Sequence, residues 1–118
     1  MKISNRILGP QSPTYFIADV AANHDGVLDK ALELMTLAKN AGADAAKFQH
    51  FRADHIVSDK GFRELGTQQS HQSSWSKSVY EVYRDASLPW EWTKPLADHA
   101  QSIGIDFFTS PYDLEAID

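Results

Sequence analysis

Two short apolar runs, each ending in groups too polar for a simple core, constrain this chain most. The first, Phe16-Ile-Ala-Asp-Val-Ala-Ala-Asn-His-Asp-Gly26, carries a carboxylate, an amide and an imidazole: Asp19, Asn23 and His24. The second, Ala45-Ala-Lys-Phe-Gln-His50, ends in Lys47, Gln49 and His50. One helix-length segment separates them. The pattern predicts a β-α-β unit with chemistry at the carboxyl ends of both strands, where α/β folds place their sites.

The rest of the chain extends that unit. Residues 1–13 read as a short strand or ribbon followed by a turn at Gly9-Pro10. Residues 15–20 form a mostly apolar run, as a buried parallel strand does. Leu28, Ala31, Leu32, Met35 and Ala38 recur at helical spacing, and Gly42 closes that helix. Residues 45–51 make the second strand and 105–109 the third. A helix over about 89–103 precedes the third strand, with Trp92, Leu96, Ala100 and Ile103 as its stripe. Pro95 does not suit a helix interior, at a cost of roughly 3 kcal/mol, so the helix is expected to kink there or to start near Thr93. Residues 52–88 form a connection far longer than the usual βα loop of roughly 2–6 residues. It contains histidine- and glutamine-rich patches and a helical segment over 76–83. Such an excursion on the carboxyl face reads as a lid or binding loop, or as a disordered or oligomer-contacting segment. Residues 111–118 read as the first turn of a further helix, with Asp113 as N-cap. That ending predicts an amino-terminal piece of a longer protein. The order of elements predicts a parallel sheet whose far edge is open.

Composition narrows the function classes. The net charge of −5 argues against nucleic acid as a partner. No run approaches the roughly 18 apolar residues of a membrane span, and no signal peptide is evident. The chain has no cysteine, so neither a disulfide framework nor a thiolate metal site is open to it, which fits a cytoplasmic protein. The five histidines show no helical i, i+4 pairing with a carboxylate, so no metal site built wholly from this chain is expected. Glycine-rich nucleotide fingerprints are absent.

Strand alternation sorts the candidates. Lys47 and Gln49 share one face and Ala46 and Phe48 the other. In a β/α barrel the apolar pair faces the helices, so Lys47 and Gln49 point to the axis. A lysine there needs an anion or a carboxylate. A structural ion pair with Asp19 and a bound anionic ligand are both readings, and they are compatible. Asp19 is either a turn cap or an acid/base group. Asn23 and His24 lie in a good turn sequence, and His24 reads either as a polar loop histidine or as a ligand. Thr109-Ser-Pro-Tyr-Asp113 places hydroxyls at the third strand end before a helix start, as a phosphate site or as an ordinary turn.

Taken together, these stretches resemble the sialic acid synthase family, the N-acetylneuraminate, legionaminate, pseudaminate and spore-coat synthases. The family pattern Ala-Glu-Ile-Gly-x-Asn-His-x-Gly stands here as Ala18-Asp-Val-Ala-Ala-Asn-His-Asp-Gly26. Gly-Ala-Asp-Ala-x-Lys-Phe-Gln stands as Gly42-Ala-Asp-Ala-Ala-Lys-Phe-Gln49, and Ser-Thr-Pro-Phe-Asp as Thr109-Ser-Pro-Tyr-Asp113. Tyr80-Glu81 is similar to a family Tyr-Glu. The resemblance implies an α/β fold, the amino-terminal fragment of a TIM (β/α)8 barrel with about three parallel strands and intervening helices. Residues 1–118 would be the amino-terminal portion of that synthase domain, with an antifreeze-like domain following outside this chain. The implied activity is condensation of phosphoenolpyruvate with an N-acylated hexosamine, such as N-acetylmannosamine, to a nine-carbon 2-keto acid with release of phosphate. It implies a divalent metal, manganese or magnesium, with ligands outside this chain, and a homodimer.

Carried residue by residue, Lys47 would bind phosphoenolpyruvate together with Thr109 or Ser110. Asn23, His24 and Gln49 would meet the sugar, and Asp19 would handle a proton in place of the family Glu. Asp19 is one methylene shorter, so its reach falls by roughly 1 Å, enough to matter in proton transfer. The Ser-Thr order is inverted to Thr109-Ser110, which leaves open which hydroxyl faces the axis. Two other functions remain: a neighbouring phosphoenolpyruvate–aldose condensing synthase, and a non-catalytic sugar- or anion-binding or subunit-interaction module on the same scaffold.

Overall fold

The computed structural model describes residues 1–64 and 76–117. The stretch of the long connection that holds His71 and Trp75 lies outside the described residues. A small antiparallel hairpin, β1 (Lys2–Ile3) and β2 (Arg6–Ile7), precedes a parallel sheet of β3 (Ile17–Ala21), β4 (Ala45–His50) and β5 (Asp106–Pro111) in the order β3-β4-β5. Helix α1 (Leu28–Asn40) connects β3 to β4, and α5 (Thr93–Ile103) leads into β5. Between them come α2 (Ala53–Ile56), α3 (Asp59–Glu64) and α4 (Val79–Ala86), then a 3-10 turn at Trp90–Trp92. A last 3-10 turn spans Leu114–Ala116. This is the amino-terminal part of a β/α barrel, as the sequence predicts.

The periodicities explain the layers. Ala31, Met35 and Ala38 of α1 and Leu96 and Ala100 of α5 are buried against Val20, Ala46 and Phe48 of the sheet. Leu28, Leu32, Trp92 and Ile103 pack around that core. Helix α5 starts at Thr93, which makes Pro95 its third residue. The N–H that proline lacks is therefore one of the four that a first turn leaves unpaired, and no kink is needed. Both long helices end on left-handed glycines, Gly42 at φ 92 and Gly104 at φ 68.

Helix α4 begins later than the sequence reading, because Ser78 caps it. Ser78 Oγ accepts from Glu81 N–H at 3.2 Å, and Glu81 Oε2 accepts from Ser78 N–H at 2.9 Å. That capping box occupies Glu81 and holds its carboxyl below the usual carboxylate range.

The hairpin seals the amino-terminal end of the sheet. Arg6 pairs with Asp44, and Ser4 Oγ donates to Asp106 at 2.7 Å. Tyr15 OH donates to the same carboxylate at 2.5 Å. Burial, with help from Asp106, pushes the Tyr15 phenol up to about 12. These contacts fix the bottom of the sheet and leave its carboxyl end for other chemistry.

Candidate functional site

The parallel register assembles the site. Asp19 lies beside Lys47 in the β3–β4 ladder, and Gln49 beside Ser110 in the β4–β5 ladder. Residues paired across parallel strands share a face. Asp19, Lys47, Gln49 and Ser110 therefore stand together, opposite the face that Val20, Phe48 and Phe107 give to the helices. Lys47 Nζ sits 3.0 Å from Asp19 Oδ2, so the ion pair is formed. Both groups keep contact with solvent, at 26% exposed for the lysine side chain and 53% for the aspartate. An exposed pair of this kind contributes about 0–1 kcal/mol. An arriving anion could thus take Lys47 from Asp19 at small expense. Lys47 is the only lysine or arginine on the three parallel strands.

The structure separates the two hydroxyls. Thr109 pairs with Phe48, not Gln49, and so belongs to the helix-facing side. Its Oγ1 is 2.9 Å from His50 Nδ1. Of the two hydroxyls whose order the sequence leaves open, Ser110 is the one on the Lys47 face.

His24 also lies off that face, in the interior. It has no exposed surface, and its ring meets Trp92 T-shaped with centroids 5.3 Å apart. Nδ1 accepts from Gly26 N–H at 3.1 Å, which closes the turn into α1. Nε2 is buried without a partner. Burial holds the imidazole below its ordinary range, hence neutral. The His24 ring, expected to meet the sugar, lies in the interior here because Trp92, distant in sequence, packs against it. Asn23 uses its Nδ2 to donate to Val20 O at 2.9 Å, yet it stays exposed. With Asp19 it lines an open groove of about 470 Å³ between β3 and α1.

One residue of the site region escaped the sequence reading. Ala21 has φ 53 and sits where the β3–β4 register shifts, so that Val20 is skipped. Such bulges re-aim chains beside active sites. The family pattern carries glycine at this position, and that was the available signal. A left-handed alanine costs roughly 1–2 kcal/mol, offset in part by the extra unfolded-state freedom of glycine. Ala21→Gly is therefore expected to stabilise the chain by about 0.5–1 kcal/mol. A thermal melt shows this as a rise of a few degrees; an unchanged or lower midpoint would contradict the strain.

Among the described residues, no group of three or more His, Asp or Glu side chains gathers to hold a metal ion. The metal implied by the resemblance has no fitting donor set here. Among the same residues no helix is long and apolar enough to cross a membrane.

The sequence model of the NeuB family matches residues 34–118, well over half of the chain. The chain belongs to the NeuB family. It is 37% identical to pseudaminic acid synthase of Campylobacter jejuni over 122 residues, an alignment covering 100% of this chain and 33% of that protein. It is 33% identical to the spore coat polysaccharide biosynthesis protein SpsE of Bacillus subtilis, over 95% of this chain and 29% of that one. The SpsE crystal structure superposes with a TM-score of 0.68 at 31% identity, covering 98% of this chain and 28% of SpsE. A sialic acid synthetase from Leptospira borgpetersenii, 23% identical, has a TM-score of 0.74 over 99% of this chain and 35% of that one, a likeness of fold. The chain spans about a third of the length of these relatives. Within this NeuB-family chain, Asp19, Lys47, Gln49 and Ser110 are the predicted residues that the fold brings to one face. Thr109 and His24 are turned elsewhere.

Proposed function

We propose that this chain supplies the donor-binding face of a synthase that condenses phosphoenolpyruvate with an N-acylated hexosamine to a sialic-acid-type 2-keto acid. The observation that carries the reading is the Lys47–Asp19 pair at 3.0 Å, with Gln49 and Ser110 on the same face at the carboxyl end of the sheet. In the proposed reaction the methylene carbon of phosphoenolpyruvate attacks the aldehyde carbon of the open-chain sugar. Water then adds at C2, and phosphate leaves. Lys47 would hold the anionic donor, with the Ser110 hydroxyl donating to it. Gln49 would orient the sugar. Water addition releases one proton and the new alkoxide takes one; Asp19 would be the carboxylate that carries it.

The described residues form no metal site, so the ligands of a divalent metal would lie outside them. The remaining barrel strands, an antifreeze-like domain and a homodimeric partner would come from outside these residues, in a soluble cytoplasmic enzyme.

The test uses the protein produced from its complete gene. Phosphate release is measured with phosphoenolpyruvate and either N-acetylmannosamine or a diacetamido hexose, with manganese present. Release that depends on both substrates is expected. Release from phosphoenolpyruvate with a phosphorylated pentose but no N-acyl sugar would favour the neighbouring class of synthases. Binding of phosphoenolpyruvate without turnover would favour the binding module.

A further inference from the structure

We propose that His50 is a positioning residue: it holds Thr109 toward the helix layer and thereby sets the Ser110 hydroxyl on the Lys47 face. His50 ends β4 and is only 3% exposed. Its Nδ1 lies 2.9 Å from Thr109 Oγ1 on β5, and its Nε2 lies 2.9 Å from Thr93 Oγ1 in the first turn of α5. One ring thus joins three elements at the carboxyl end of the sheet. The ring stacks on Trp90, with centroids 5.1 Å apart and planes 20° apart. The Arg52 guanidinium lies over Trp90 at 5.7 Å and is itself held by Glu115 at 2.9 Å.

The chemistry of the ring suits the task. Burial keeps His50 below its ordinary range, hence neutral, with one N–H donor and one bare acceptor. Two threonine hydroxyls can rotate to match either tautomer, so both ring nitrogens are satisfied at once. An apolar side chain would fill this space without the desolvation cost of a polar ring. What the imidazole adds is direction. Threonine is stiff at χ1, so fixing its hydroxyl fixes the local strand orientation. Successive strand residues point to opposite faces. With Thr109 turned to His50, Ser110 must point to the other side, beside Gln49. The Thr109-Ser110 order, inverted relative to the family pattern, then has a physical reason: the threonine serves His50 and the serine serves the ligand.

This inference rests on the proposed function for the class of ligand, an anionic phosphate-bearing donor. The test exploits the two nitrogens separately. An asparagine amide places its polar atoms near the Nδ1 position, and a glutamine amide near Nε2. His50→Asn therefore keeps the link to Thr109 and loses the link to Thr93; His50→Gln does the reverse. In the protein produced from its complete gene, both variants are expected to melt lower by similar amounts. His50→Gln should raise the Michaelis constant for phosphoenolpyruvate about tenfold with that for the sugar unchanged, and His50→Asn should keep the donor constant within about twofold. Equal donor constants in the two variants would mean a merely structural role and overturn the proposal.

If the unsubstituted protein shows no turnover, the proposed function fails by itself, and crystal structures decide the positioning role. Ser110 Oγ leaving the Lys47 face in His50→Gln but not in His50→Asn supports it; Ser110 unmoved in both overturns it. Should neither variant fold, Thr109→Ser and Thr109→Val make the same comparison, keeping and removing the hydroxyl. A donor constant that rises only with valine supports the role, and equal constants refute it.

Discussion

Replacing Lys47 by alanine is expected to raise the Michaelis constant for phosphoenolpyruvate about tenfold or more, while that for the sugar changes little. The chain carries 16 acidic against 11 basic residues, so a highly charged anion must be held by a few placed cations. On the three parallel strands Lys47 is the only one. A lost charge-assisted contact to phosphate or carboxylate costs about 1.5–3 kcal/mol, which is roughly tenfold or more in affinity. The competing account makes Lys47 only the structural partner of Asp19. Magnitudes separate the two, because a pair this exposed contributes about 0–1 kcal/mol to stability. Steady-state kinetics with each substrate varied, beside a melting curve, checks the expectation. Matching rises in both constants with a large fall in melting temperature would leave Lys47 a purely structural residue.

Acid should destabilise the chain well above the pH at which carboxylates protonate. His24 and His50 are buried, and burial lowers both below the ordinary imidazole value of about 6.5. A lowered folded-state value means that the unfolded chain binds the proton first. The stability is therefore fully present above about pH 6.5 and is lost as pH falls from there toward the folded values. In that window each histidine makes stability rise with pH, with a slope of at most about 1.4 kcal/mol per pH unit. Asp25, Glu81 and Asp85 also have lowered values, but carboxylates act near pH 4 and below, outside the window. Urea unfolding at pH 7.5 and 5.5 measures the loss. His24→Phe, which keeps an aromatic ring against Trp92, is expected to remove about half of the slope. Stability that stays flat between the two pH values would show that neither ring is held neutral by burial.

The layer order was legible in the sequence because it rests on local periodicity. The stripe Leu28, Ala31, Leu32, Met35 and Ala38 requires one buried helix face, and the Ala45–His50 alternation puts Lys47 opposite Phe48 whatever lies around it. The start of α5 at Thr93 was accessible for the same reason: a proline without an N–H is harmless only in a first turn. The Lys47–Asp19 pair was also foreseeable, since a lysine facing inward needs an anion. The late start of α4 was local as well, set by the Ser78–Glu81 capping box, but the sequence reading missed it.

What only the tertiary structure decided involves partners far apart in sequence. Which of Thr109 and Ser110 faces the site depends on the register of β5 against β4, and on His50, which captures one of the two hydroxyls. His24 reads as a surface residue in its own turn and becomes core because Trp92 is packed over it by the docking of α5. Ala21 reads as an unremarkable small residue, and only the bulge between β3 and β4 forces it into the left-handed region. Sequence spacing determines which side of its own element a residue occupies; what stands opposite that side is set by long-range packing, and at this site the packing chose the residues.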